Sequence, residues 1–286
     1  VIYLSATPFL EVYMDKLTEF GNLPYIELGW PSEMIEPATV TNISLRKDES
    51  RVSTCCKIIN KMKAGKTVRF GNKEIDTTEA VFYVNSVKDI RSIIKKSGLQ
   101  PSEFNILCSK SNEDSLKKEG LTIGTIPKEG KPHKPFTFCT RSYFLGCDFN
   151  STCAYSYIFA DPKSNTLALD ISTDLSQILG RQRLDCNPYR NEAILFIKEG
   201  GISFGDKEFA AYIDEKQKKT KSLIDSFNKL TDKGKKDILD LYRSNIELHH
   251  FSKDYVYIKD EVNLELGFNT LYMLAELRAW EIRTKN

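Results

Sequence analysis

Most of the features that mark a function at a glance are missing from this sequence. Its 286 residues include three histidines, of which His249 and His250 are adjacent. The seven cysteines, Cys55, Cys56, Cys108, Cys139, Cys147, Cys153 and Cys186, are odd in number and form no C-x-x-C pair. That combination gives poor support to a zinc site. Most of the cysteines sit in apolar runs, where a reduced thiol behaves as a small hydrophobe, and a cytoplasmic compartment is expected. No run approaches the ~18 apolar residues of a membrane span and no signal peptide is visible, so no membrane partner is expected. A net charge of +2 is too small to argue for nucleic acid or membrane by itself. Internal repeats and low-complexity segments are absent too. What remains, 41% hydrophobic and 28% charged residues, describes an ordinary globular protein of one large domain with or without an appendage.

A glycine-rich phosphate loop is also missing. Gly65-Lys66-Thr67 matches the end of G-x-x-x-x-G-K-[ST], but the first glycine would fall at Asn60 and a helix precedes the triplet where a strand should stand. The acidic pairs Asp48-Glu49 and Asp260-Glu261 are flanked by polar residues, not carried at the end of an apolar strand. Alone, therefore, this chain lacks the parts that bind a nucleotide's phosphates and metal.

The pattern that is present alternates. Val1-Ile2-Tyr3-Leu4-Ser5 reads as a buried strand entered without a preceding turn, which suggests a chain that continues upstream. Ser5-Ala6-Thr7-Pro8 stands at its carboxyl end, where open α/β sheets carry ligand contacts. A short helix is expected near 10–19, a strand at 24–28, a passage through Trp30 and Pro31, and a strand over 38–45. Then follow a helix at 49–63, a hairpin around Phe70-Gly71-Asn72-Lys73, a strand at 80–84, and a helix capped by Asn85-Ser86 that runs to Lys96. Strands at 104–108, 136–140, 154–159 and 193–197 alternate with a polar helix at 112–118, a helix or turn from 142 and a helix at 174–183. This order predicts βαβ units and an α/β fold with a mostly parallel sheet flanked by helices. Composition shifts after Gly200-Gly201. Residues 207–229 and 231–248 read as lysine-rich helices, with Lys216, Lys218, Lys219 and Lys221 clustered, before a strand at 255–258 and a helix at 264–283.

The stretch Asp174–Leu184 carries the most chemistry. Leu175, Ile178 and Leu179 form an apolar stripe that predicts a short helix with one buried face. Gln177, Gly180 and Arg181 fall on the opposite face, and Arg183 lies between the two. Gln177 offers an amide, Arg181 a planar fork of donors, and Gly180 room for close approach. Two arginines on one short element suit phosphate recognition. The same residues also fit a plain amphipathic helix with solvated arginines, in which Asp174 and Gln177 form a capping-box variant. Upstream, Phe138-Cys139-Thr140 ends a strand and Gly146 and Asp148 follow. A strand-end threonine can hydrogen-bond a phosphate, and a glycine in the turn permits close backbone approach.

In their order along the chain these stretches resemble the C-terminal half of superfamily 2 helicases. Ser5-Ala6-Thr7 resembles motif III and Val81–Ser86 motif IV. Thr140-x5-Gly146-x-Asp148 resembles motif V, and Gln177-x2-Gly180-Arg181-x-Arg183 resembles motif VI in its QxxGRxR form. The resemblance covers residues 1–200 and says nothing of the rest. It implies that 1–34 is the remnant and linker of a first RecA-like domain, that 35–205 is the second, and that 206–286 is a helical C-terminal extension. ATP and Mg2+ would lie between the two domains of the full-length protein, with the main phosphate and metal ligands outside this chain. Arg181 and Arg183 would act as arginine fingers, and Gln177 would position the nucleotide or the attacking water. Gly180, Gly146 and Asp148 would border the nucleotide, with Asp148 coupling it to the strand-binding face. Thr140, Ser86 and Ser109 would touch backbone phosphates of a bound nucleic acid, DNA ahead of RNA. Ser5 and Thr7 would link hydrolysis to domain closure. Two departures stand out: Leu184 where many relatives place the last arginine, and Leu145 where many carry arginine. The competing readings are a non-catalytic RecA-like module that binds nucleic acid or protein, and the motor of a restriction or nuclease complex.

Overall fold

The computed structural model describes residues 26, 29, 31–34, 36–144, 146–164, 166–198, 205–244, 255–260 and 262–285. The strand expected at 1–5, the helix at 10–19, the Gly200-Gly201 junction, Ser5, Thr7 and Leu145 lie outside the described residues, as does most of the strand expected at 24–28. Contacts divide the chain into two compact units, one built on residues 36–198 and the other on 205–281.

The first unit is a six-stranded, wholly parallel sheet. Its strands are β1 (Thr39–Leu45), β4 (Ala80–Tyr83), β5 (Phe104–Leu107), β6 (Phe136–Cys139), β7 (Tyr155–Ala160) and β8 (Glu192–Lys198), in the spatial order β1-β8-β7-β4-β6-β5. Every residue of β4, β5, β6 and β7 is buried. That is why their sequences are largely apolar runs: a parallel strand whose two faces are both covered has no solvent side. On one face Ala80, Phe82 and Val84 meet α1 (Arg51–Lys63) and α2 (Val87–Lys96). Ile90, Ile93 and Ile94 of α2 supply the i, i+3, i+4 stripe that buries it. Ser50 and Ser53 close a capping box on α1, and the Ser86 hydroxyl accepts the Asp89 N–H to cap α2. A small hairpin, β2 (Val68–Phe70) and β3 (Lys73–Ile75), turns at Gly71, whose φ of 57° lies in the left-handed region that favours glycine. Gly65-Lys66-Thr67 joins α1 to this hairpin, so no strand feeds it.

The other face carries Val81, Tyr83, Leu107, Cys139, Ile158 and Leu195, covered by Phe144, Cys147, Phe149, Leu175 and Ile178. Here the structure departs from the expected helix at 174–183. A π-helical turn spans Ile171–Leu175, α4 covers only Ser176–Leu179, and the helix stops at Gly180. Asp174 does not cap it; its carboxylate instead accepts from the Asp170 N–H at 3.2 Å and from Arg141 Nη2 at 2.9 Å. The polar helix expected at 112–118 is α3 (Glu113–Lys117), preceded by a 3-10 turn at Lys110–Asn112.

The second unit holds α5 (Asp206–Asn228), α6 (Asp232–Ser244), an antiparallel pair β9 (Val256–Asp260) and β10 (Glu265–Phe268), and α7 (Thr270–Lys285) as far as Glu281. The helix expected from 264 thus begins six residues later. Asn228 explains the difference: its side-chain amide donates to the Leu266 carbonyl at 3.1 Å and accepts the Leu266 N–H at 3.0 Å, holding that residue extended. Glu276 accepts from Lys216 at 2.8 Å, Tyr255 at 2.5 Å and Tyr212 at 3.3 Å. Among the described residues no helix is long and apolar enough to cross a membrane.

The centre of the first unit is aromatic. The Phe82 ring stacks against Phe138 and Tyr157, each with centroids 5.3 Å away. Phe82→Ala is expected to cost about 3–5 kcal/mol, because the cavity lies where neither face can collapse. A shift of the urea midpoint at unchanged m-value measures it.

Candidate functional site

The residues after β6 and those after α4 come together through one backbone bridge. The Phe149 N–H donates to the Arg181 carbonyl at 2.8 Å, and the Arg183 N–H donates to the Phe149 carbonyl at 2.9 Å. This parallel bridge pulls 181–183 into an extended path once Gly180 has ended the helix. Side chains alternate along an extended chain, so Arg181 and Arg183 share one side while Gln182 turns inward and is buried. The side on which the arginines lie carries Asp148. Its Oδ1 is 2.7 Å from Arg183 Nε and 3.5 Å from Arg181 Nη1.

The two arginines differ sharply in setting. Arg181, expected to face solvent, is 7% exposed. Its Nε donates to the Gln177 carbonyl at 2.9 Å, Nη1 to the Cys147 carbonyl at 3.4 Å, and Nη2 to the Gln177 side-chain oxygen. The exposed-face assignment fails because the helix ends a residue too early to hold Arg181 outward. Arg183 and Asp148 are both half-exposed, and Asp148 is the carboxylate paired with Arg183. Gly146 stands exposed at φ 75°, with nothing within 4 Å of the place a Cβ would occupy. Gly180 has an ordinary φ and is exposed, and a Cβ there would meet only the Gln177 and Ser176 carbonyl oxygens, both at 3.9 Å, so neither conformation nor crowding demands glycine.

Ser86, Thr140 and Ser109 stand at the carboxyl ends of β4, β6 and β5, three adjacent strands. They are therefore on one edge of the sheet, but each hydroxyl already has a local partner. Ser86 Oγ accepts the Asp89 N–H at 3.1 Å, and Ser109 Oγ lies 3.0 Å from Ser111 Oγ. Thr140 is buried, 3.4 Å from the Leu107 carbonyl and 3.0 Å from Ser142 Oγ. The chain leaves β4 toward β5 and leaves β7 toward β8, which makes the β4/β7 carboxyl ends the crevice of the sheet. Arg51 closes one side of it, 2.6 Å from Asp161 after β7 and 3.1 Å from Asp89 in α2.

Two residues that the sequence did not mark as site residues organise this edge. Asn85 accepts the Arg141 N–H at 2.8 Å and donates to the Thr166 carbonyl, tying the ends of β4 and β6 to the loop after β7. Arg141 reaches across to the Ala168 carbonyl and to Asp174. An arginine directly after the strand-end Thr140 was the available signal. Among the described residues no cluster of three or more His, Cys, Asp or Glu could hold a metal. Burial pushes the Cys147 thiol up to about 11, against the nearby Arg181 charge, which removes it as a nucleophile at neutral pH.

No protein-family model matches the chain, and no curated protein sequence matches it. Solved structures similar to it include T. fusca Cas3 with ATP, at 9% identity and a TM-score of 0.34 over 64% of this chain and 21% of that one. A CRISPR-associated protein has 11% identity and a TM-score of 0.35 over 93% and 24%. T. fusca Cas3 alone has 10% identity and a TM-score of 0.36 over 93% and 28%. The chain thus spans less than a third of each of those structures.

Burial separates the two arginines experimentally. Arg181→Ala is expected to leave buried carbonyls unpartnered and to cost about 2 kcal/mol, or a roughly 4–8 °C lower Tm. Arg183→Ala should melt within about 1–2 °C of the parent, since an exposed pair contributes little. Asp174 gives a pH test. Burial raises its carboxyl above the ordinary aspartate value of 3.8, opposed by Arg141 and the Asp170 N–H and reinforced by the Asp170 carboxylate. A raised folded pKa means the folded state holds the proton more tightly, so the stability this group contributes is lost as pH rises through that value. The parent should therefore lose stability relative to Asp174→Asn as pH climbs from 3.8. A difference moving the other way would show that the Arg141 pairing outweighs burial.

Proposed function

We propose that residues 35–205 act as the second RecA-like domain of an ATP-dependent superfamily 2 helicase or translocase, with Arg183 as the group that reaches a nucleotide's phosphates. One observation supports this most: two guanidinium groups converge on a single carboxylate, Asp148, beside the open backbone of Gly146. One negative charge cannot neutralise two positive ones, so the cluster keeps a net positive charge at a half-exposed position. A polyphosphate fits that position by charge, and a guanidinium fork fits it by geometry. Arg181, held by Gln177 and Cys147, serves as the strut that fixes the 181–183 path. Gln177 then acts through Arg181, as a positioning residue.

The residues fit an anion better than a metal. ATP phosphates would find Arg183; the magnesium of the full-length protein would take its ligands from elsewhere, and here the chain supplies charge and orientation only. The parallel sheet, with serine and threonine hydroxyls at three adjacent strand ends, supports a role for that edge in holding nucleic-acid backbone. A second reading, a RecA-like module without catalysis, is favoured by the burial of Arg181 and Thr140.

Hydrolysis by the full-length protein decides between them. Arg183→Ala is expected to lower ATP turnover by on the order of 10² while the fold and nucleic-acid binding persist. Arg183→Lys should rescue little, because a point charge does not replace a bidentate fork. Folded Arg183→Ala protein with near-normal turnover would exclude a finger role. A full-length protein with no nucleotide turnover would favour the binding module. Binding to single strands by residues 1–286 should be weak, indifferent to sequence and steeply salt-dependent.

A further inference from the structure

The edge of the sheet at β1, unpaired among the described residues, has the features of a docking site. This strand is seven residues long and, among the described residues, pairs with β8 alone. The Thr39 N–H donates to the Asn191 carbonyl at 2.8 Å, so the odd-numbered residues aim their backbone groups at β8. Val40, Asn42 and Ser44 consequently turn theirs away from the sheet. Asn42 and Ser44 are exposed. Within Thr39–Leu45 there is no charged side chain, no proline and no break in register. Those are the devices by which folded proteins stop a free edge from pairing.

Beside this edge, on the α1 face, lies a groove of about 490 Å³. Ile43, Leu45, Ile58, Val68, Phe70 and Phe196 line it. A strand laid against β1 at the usual spacing of about 4.8 Å would send every second side chain toward this groove. Lys57 and Lys61 stand one helical turn apart at its rim, both exposed, and neither has an ion-pair partner among the described residues.

We propose that the β1 edge and this groove together dock an extended strand of a partner protein, apolar at alternate positions and bearing a carboxylate that reaches Lys57 and Lys61. The backbone edge supplies the hydrogen bonds, the groove selects the apolar side chains, and the lysines set charge preference and direction. A helix would leave the outward N–H and C=O groups of β1 unanswered. The inference does not depend on the helicase reading, because no residue of the arginine cluster takes part.

The probe is a fluorescein-labelled seven-residue peptide with alternating valine and threonine and an aspartate at each end, titrated against the chain while amide hydrogen exchange is followed. Saturable binding that weakens with salt is expected, together with slowed exchange at Asn42 and Ser44. Asn42→Pro removes an outward donor and no β1–β8 hydrogen bond, and is expected to weaken binding by about tenfold or more at unchanged Tm. Lys57→Glu with Lys61→Glu should weaken the aspartate peptide but not its asparagine-ended counterpart, which decides the matter independently of how Asn42→Pro folds. Absence of binding, or binding untouched by both sets of substitutions, would overturn the proposal. So would protection of Asn42 that rises with protein concentration in the peptide-free chain, the mark of a second copy on this edge.

Discussion

The pairing of Phe149 with residues 181–183 is the constraint from which the site follows. Two backbone hydrogen bonds, at 2.8 and 2.9 Å, take a segment that has just left a helix and set it extended against a loop from a distant part of the chain. Residues two apart on an extended path lie on one side, whereas on a helix they would diverge by about 200°. Arg181 and Arg183 can share Asp148 only because the helix has ended. The cost falls on Gln182, which the alternation turns inward and whose Nε2 is buried without a hydrogen-bond partner. An unmet buried donor costs about 1–3 kcal/mol, so the bridge and the packing of Phe149 and Ile178 beneath it have to offset that penalty.

Burial then separates the duties of two residues that look equivalent in sequence. Desolvating a guanidinium is tolerable where carbonyls and a carboxylate meet its donors, and Arg181 has all of these. A group so fully engaged is poor at reaching a ligand and good at fixing a backbone. Arg183 keeps half its surface in water and a single partner among the described residues, so exchanging that partner for an incoming anion costs little.

The architecture was legible because burial writes itself into composition. Strands covered on both faces must be largely apolar, and Ala80–Tyr83, Phe104–Leu107 and Phe136–Cys139 are, with Asn105 and Thr137 the exceptions. The Ser86 cap and the isoleucine stripe of α2 were equally readable, since both are local signals. The errors share one cause. At 174–183 the stripe of Leu175, Ile178 and Leu179 fits a helix, and nothing nearby reveals that Phe149 will claim the backbone beyond Gly180. At 264–268 the apolar spacing suits a helix too, yet Asn228, far back in the sequence, holds Leu266 in a strand. Local periodicity carries no information about a remote backbone partner. The part that Arg141 and Asn85 play at this edge was missed for the same reason, because their partners lie on other strand ends.

The strand-end hydroxyls show how far the same logic extends. A serine or threonine hydroxyl has one proton to give and two lone pairs with which to accept. Ser86 spends only acceptor capacity on its cap, taking the Asp89 N–H, and its own proton stays available to a phosphate oxygen. Capping a helix and binding phosphate are therefore compatible at that position. Thr140 lies deeper, with the Leu107 carbonyl and Ser142 Oγ both within reach of its hydroxyl. A carbonyl can only accept, so the Thr140 proton is drawn inward unless the Ser142 contact turns it. Of the two, Ser86 alone keeps a proton for an outside acceptor: with the Thr140 proton turned to the Leu107 carbonyl, the 3.0 Å contact between the two hydroxyls takes the Ser142 proton, and neither is left to donate outward.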